Sequence, residues 1–293
     1  MSIISLLKGK TDEFTEMPLE EALKWIYKIS GHLANEIYFL KEFLGEHTEE
    51  ISELLSEDTI ARFKSVAYSL QFPFLSYSKS SDDDKKLLEQ GLLVQSWSAL
   101  GALLESTLQL FLAFHYRDYI QSEWSKWNTE AIEQISTLLS GNLKPSLESL
   151  VHQNEQNGVI GLTNEIKKSF IRKATDILKE KRKLPKLERI TLSDLIDFYE
   201  SQNVLLKGDY EKEDLQKIRD YRNSIHTFQK RTIGSWDELN EYGKVLLQMT
   251  IDMLYQLPEI PSEVPIPEWY YDDKSEIIMQ ANNWFNYRVQ LDI

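Results

Sequence analysis

Arg219-Asp220-Tyr221-Arg222-Asn223-Ser224-Ile225-His226 is the stretch of this chain whose residue types and spacing are best suited to chemistry. A helix turns about 100° per residue, so Arg219, Arg222, Asn223 and His226 sit at offsets 0, 3, 4 and 7 and share one face. Two guanidiniums, an amide and an imidazole gathered in this way suit a phosphate ester. Arginine donates paired, planar hydrogen bonds to phosphate oxygens, and histidine moves a proton near neutral pH. The plainer reading of the same residues is a helix C-terminus favoured by nearby cations, worth less than about 1 kcal/mol at an exposed site. Asn223 would then cap the helix or bridge to a neighbour.

Glu105 belongs with this stretch as a supporting group. It interrupts an apolar helix that includes Leu103, Leu104, Leu108, Phe111 and Leu112. Either it faces solvent beside Ser98 and Gln109, or it pairs with Arg219 or Arg222 and fixes the stripe, because a carboxylate in apolar surroundings is costly unless paired.

Other chemistries find little support in the sequence. His32, His47, His115, His152 and His226 are far apart, with no His-Glu-x-x-His pairing, so no metal site is expected. There are no cysteines, which removes disulfides, thiolate zinc sites and cysteine nucleophiles. The eleven glycines form no Gly-x-Gly-x-x-Gly loop to cradle phosphates, and no cofactor is implied.

The net charge of −14 argues against a protein that coats nucleic acid nonspecifically. Between Lys167 and Arg189, however, ten basic residues face three acidic ones, a local charge of +7. This run is either a solvated helix face with a basic loop or an electrostatic guide for RNA, with Lys181, Arg182, Lys183 and Lys186 as its contacts. The first residues have too short an apolar run for a signal peptide, and the stretch from Leu92 to Phe114 is too polar to span a membrane. The expectation is a cytoplasmic protein with no membrane partner.

The elements that must position these groups are helices. Pro18 opens one that runs toward Gly45, and another covers about 57 to 70 before Phe72-Pro73. The polar run from Ser78 to Asp84 marks a boundary. Beyond it the periodicity predicts a long helix from about 84 to 119, then helices near 129–154, 163–181, 191–201, 211–227 and 235–257. Thr191 with Asp194 and Ser235 with Glu238 have capping-box spacing. Four prolines, Pro258, Pro261, Pro265 and Pro267, end regular structure ahead of a tail with Trp269, Tyr270, Tyr271, Trp284 and Phe285. Such rings pack either on their own domain or on a partner surface. The expected organisation is an N-terminal helical region over 1–77, a helical domain over 84–257 and a packed tail over 258–293.

The Arg-Asp-x-Arg-Asn-x-Ile-His ending resembles the Arg-x(4 to 6)-His signature of HEPN domains, an all-α superfamily, over residues 84 to 257. Asp220 matches the polar residue that often follows the family's Arg, and six residues separate Arg219 from His226; Thr227 and Phe228 follow where many members carry Gly or Pro. The resemblance implies an all-α multi-helix bundle of HEPN type and a metal-independent endoribonuclease of defence, toxin or abortive-infection systems. It also implies a homodimer in which two motifs line one cleft, acting on RNA and paired with an antitoxin or defence subunit. Carried over, Arg219 and His226 are the catalytic pair, with Asp220, Arg222 and Asn223 as neighbours. The alternative is a catalytically inactive HEPN-like scaffold whose acidic surface and aromatic tail bind a protein partner.

Overall fold

The computed structural model describes residues 10–44, 49–73, 82–122, 190–202, 210–224 and 233–285, with isolated positions between 137 and 156. The chain divides into two compact units, Met1–Tyr116 with Ile190–Ile293, and Arg117–Arg189. The first unit is an all-α multi-helix bundle, and no strand occurs among the described residues. Its helices are α1 (Asp12–Thr15), α2 (Leu19–Phe39), a 3-10 turn at Lys41–Phe43, α3 (Glu49–Leu54), α4 (Glu57–Ser69) and α5 (Asp82–Leu112). After α6 (Tyr116–Gln121), which leads into the second unit, come α7 (Leu192–Ser201), α8 (Lys212–Asn223), α9 (Trp236–Leu254) and α10 (Glu268–Phe285). The second unit is described over 117–122 and at the isolated positions; the helices expected near 129–154 and 163–181 otherwise lie outside the described residues.

Local chemistry sets the ends of these helices. Thr191 Oγ1 accepts from the Asp194 amide at 3.2 Å, and Ser235 Oγ accepts from the Glu238 amide at 3.2 Å while Glu238 Oε2 accepts from the Ser235 amide at 2.8 Å. The second arrangement is the expected capping box, satisfying two amides that a helix start would leave orphaned. Glu211 with Asp214 builds another box at the start of α8, where no Ser or Thr announces it.

Two differences from the expected boundaries matter. The long helix expected over 84–119 is interrupted at 113–115, where a turn separates α5 from α6. The segment after Pro267 is helical as α10, because proline fits just ahead of a first turn, whose own amides need no helical acceptor.

The core is built around α2 and α5. Helix α5 packs against α2, α4, α7, α8 and α9, which is why Trp97, Leu100, Leu103, Leu104, Leu108 and Phe111 are all buried along it. Each such side chain contributes about 1.5–3 kcal/mol by leaving water. Helix α2 packs against α4, α5, α9 and α10, so the helices within 1–77 and the tail share one core with α5 and α9. In the tail, Trp284 meets Phe14 and Trp25 at ring-centroid distances of 5.6 and 5.0 Å, and its carbonyl accepts from Thr11.

Candidate functional site

Helix α8 lies against α5 and α7 because Leu215, Ile218 and Tyr221 form its buried stripe. Arg219 and Arg222 flank that stripe and reach different neighbours. Arg219 Nη1 donates to Ser193 Oγ on α7 at 2.9 Å, while its Nε and Nη2 donate to Asp220 Oδ1 at 3.2 and 2.9 Å. Arg222 turns to α5, where Nη2 pairs with Glu105 Oε2 at 2.6 Å. Glu105 therefore meets Arg222 and leaves Arg219 to α7. Both pairs keep water contact: the side chains of Arg219 and Arg222 are 25% and 30% exposed, and that of Glu105 is 22% exposed.

Gly101, one turn before Glu105, explains how Arg222 lies so close to α5. A Cβ added there would stand 2.5, 2.8 and 2.7 Å from Arg222 Cβ, Cγ and Cδ, distances that real carbons do not adopt. Arg222 Cβ is fixed to the backbone of α8, so it could not swing away. Glycine in a helix interior costs about 1 kcal/mol relative to alanine, a local oddity that does not say which neighbour comes close.

One turn earlier on the same face of α5, Trp97 fixes the far side of the stretch. Its ring packs on Tyr221 with centroids 4.5 Å apart, and its Nε1 donates to the Gly234 carbonyl at 3.0 Å. A Cβ on Gly234 would come within 2.6 Å of Trp97 and 2.7 Å of Tyr221, so glycine is needed for this contact. Tyr221 Oη donates to Glu238 Oε1 at 2.7 Å; burial and that carboxylate push the phenol well above its ordinary range, leaving it a donor at neutral pH.

Asn223 is the half-buried last residue of α8, and Ser224 caps the helix with Oγ donating to the Asp220 carbonyl at 2.8 Å. His226 lies outside the described residues, as do Lys181, Arg182, Lys183 and Lys186. The structure thus makes two separate groups, Arg219 with Asp220 and Ser193, and Arg222 with Glu105 and Gly101, of which Ser193 and Gly101 were not named from the sequence. Two guanidiniums held by neighbours yet open to water are suited to binding an anionic ester.

No family model matches the chain, and neither a curated protein nor a solved structure matches it. Among the described residues, no group of three or more His, Cys, Asp or Glu side chains could hold a metal ion. No described helix is long and apolar enough to cross a membrane.

A second polar cluster, also missed in the sequence, lies between α2 and α10. Glu36, 1% exposed, accepts from Lys274 Nζ at 2.7 Å, and His32 Nε2 stands 3.4 Å from its other oxygen. His32 stacks on Tyr270 with centroids 4.5 Å apart. Burial alone would raise the Glu36 carboxyl, but His32, Lys274 and Tyr270 outweigh it and hold it below its usual range. His32 with Glu36 and Tyr270 with Lys274 are each four residues apart, which places each pair on one helix face.

Proposed function

We propose that this chain is a metal-independent endoribonuclease of HEPN type, acting as a homodimer in a defence or toxin setting. The observation that carries the reading is the placement of Arg219 and Arg222 on α8, half-exposed and separately held by α7 and α5, within a few residues of His226. The two ends of the stretch containing His226 are also tied to one side chain, since Trp97 contacts both Tyr221 and Gly234.

The reaction is internal attack. The ribose 2′-oxygen bonds to phosphorus as the bond from phosphorus to the 5′-oxygen breaks, leaving a 2′,3′-cyclic phosphate and a 5′-hydroxyl. One proton leaves the 2′-hydroxyl and one reaches the departing 5′-oxygen. His226 serves as the base for the first or the acid for the second, and Arg219 or Arg222 offsets the extra charge on the phosphorane. Lys181, Arg182, Lys183 and Lys186 attract the RNA backbone. The test is cleavage of single-stranded RNA in excess chelator by wild type, Arg219→Ala and His226→Ala. Cleavage that survives chelator and is lost in both variants supports the reading. Intact RNA after incubation with concentrated, folded protein ends it.

The engagement of both guanidiniums by carboxylates favours a second reading, an inactive HEPN-like scaffold that binds a protein partner such as an antitoxin or defence subunit. In that case folded wild type leaves RNA intact.

A further inference from the structure

The two arginines of α8 are not equivalent as anion binders. A guanidinium carries five N–H groups. Among the described residues, Arg219 commits Nε and Nη2 to Asp220 and Nη1 to Ser193, so three of its donors are taken. Arg222 commits Nη2 to Glu105, and its side chain stays 30% exposed. Its stem is fixed as well, because Cβ, Cγ and Cδ lie against the bare backbone of Gly101. One face of α5 therefore holds Arg222 twice, by the stem at Gly101 and by the head at Glu105 one turn later.

We propose that Arg222 is the guanidinium that grips the phosphodiester of a single-stranded nucleic acid, and that Gly101 is the positioning residue that aims it. The substrate class rests on the nuclease reading above; the choice of arginine rests on donor use and on the Gly101 notch. An arginine whose stem is already ordered loses little side-chain freedom on binding, which is the usual origin of tight recognition by a flexible cation. Glu105 offsets part of its charge but fixes the plane of the fork. Arg219 is spent on tying α7 to α8, and its neighbour Asp220 repels a second anion.

The experiment uses the full chain and a short fluorescein-labelled single-stranded oligodeoxynucleotide, which lacks the attacking 2′-hydroxyl and so reports binding without cleavage. Affinity is measured across a salt series for wild type, Arg222→Gln, Arg222→Lys, Arg219→Gln, Gly101→Ala and the Gly101→Ala/Arg222→Gln double variant, each checked for helicity by circular dichroism. Arg222→Gln is expected to weaken binding about tenfold more than Arg219→Gln, and to reduce the slope of log affinity against log salt by about 0.7, one phosphate contact on a single strand. Arg222→Lys keeps the slope and loses part of the affinity. Gly101→Ala reproduces the slope change of Arg222→Gln and adds no further loss in the double variant, a non-additivity that general loosening of the helix pair would not give.

A loss for Arg219→Gln as large as for Arg222→Gln overturns the assignment, as does an additive effect of Gly101→Ala. Should Gly101→Ala not fold, the two arginine variants decide alone. Wild type that neither binds the probe nor cleaves RNA overturns the nuclease reading and this inference with it. Wild type that cleaves RNA but depends on Arg219 for binding overturns this inference alone.

Discussion

Two helix pairs in this molecule are joined by the same chemistry, a carboxylate on one helix and a cation on the other, and burial separates what they do. Between α2 and α10, Glu36 is 1% exposed and gathers Lys274, His32 and Tyr270, so the carboxylate is surrounded by groups that favour its charge. Between α5 and α8, Glu105 is 22% exposed and meets Arg222 through one nitrogen. The first arrangement spends its polar groups on holding the C-terminal helix; the second holds a cation in place while leaving donors in reach of solvent. A buried ion pair is an expensive lock that fails badly when one partner is removed, whereas a half-exposed pair is cheap to break and free to exchange partners.

The largest expected effect therefore lies at the lock. Glu36→Ala leaves Lys274 without its counter-charge and His32 without its carboxylate neighbour, in a site where Tyr270 stacks on His32 and meets Phe39, and should destabilise the protein by about 2–4 kcal/mol in urea unfolding. That is somewhat less than for a fully enclosed pair, since Lys274 reaches water. A loss below about 0.5 kcal/mol would erase the distinction between the two helix pairs. The same contribution titrates. The Glu36 carboxyl is held below its ordinary value of 4.5, so its stabilisation is fully present above pH 4.5 and disappears as pH falls through the lower folded value. Wild type should lose stability over that acid window more steeply than Glu36→Gln, and parallel pH profiles would show that the carboxyl titrates in the fold as it does in the unfolded chain.

Next in size is the notch. Gly101→Ala places a carbon within 2.8 Å of three Arg222 atoms, so α5 and α8 must separate slightly. Overpacking of this kind costs about 1–3 kcal/mol, reduced by the better helix propensity of alanine. A thermal midpoint equal to or above that of wild type would mean that Arg222 swings aside freely and that Gly101 positions nothing.

How far the sequence speaks is visible in the contrast between Ser235 and Gly101. The Ser235 and Glu238 box, the Thr191 cap and the helices they start are local, and three or four neighbouring residues suffice to read them. The Glu211 and Asp214 box escaped because an acidic residue replaces the usual hydroxyl cap. The break at 113–115 was hidden because apolar residues continue through it, and α10 was hidden behind four prolines that read as a stop although the last sits at a helix start. The stripe itself was legible as a set of charges on one face, but not as a division of labour. Only the packing of α8 between α5 and α7 sends Arg222 to Glu105 and Arg219 to Ser193. The role of Gly101 is a property of two helices more than 100 residues apart in sequence, which no local pattern contains.

The smallest expected effect sharpens the comparison most. Glu105→Gln keeps an oxygen for Arg222 to bond and removes one half-exposed charge, so the loss of stability should be about 0.5 kcal/mol at low salt. In 1 M salt, where the screening length falls to about 3 Å, even this difference should vanish, because water and ions already reach the pair. Glu36→Gln, its counterpart on α2, should keep most of its cost in the same salt, since the Glu36 carboxylate itself is 1% exposed and only Lys274 reaches water. Paired unfolding curves of the two variants at low and high salt therefore compare the two carboxylates under one substitution. If the Glu105→Gln difference persisted in 1 M salt at the size of the Glu36→Gln difference, the pair on α5 and α8 would be a second lock, and Arg222 would be held too firmly to be shared with a phosphate.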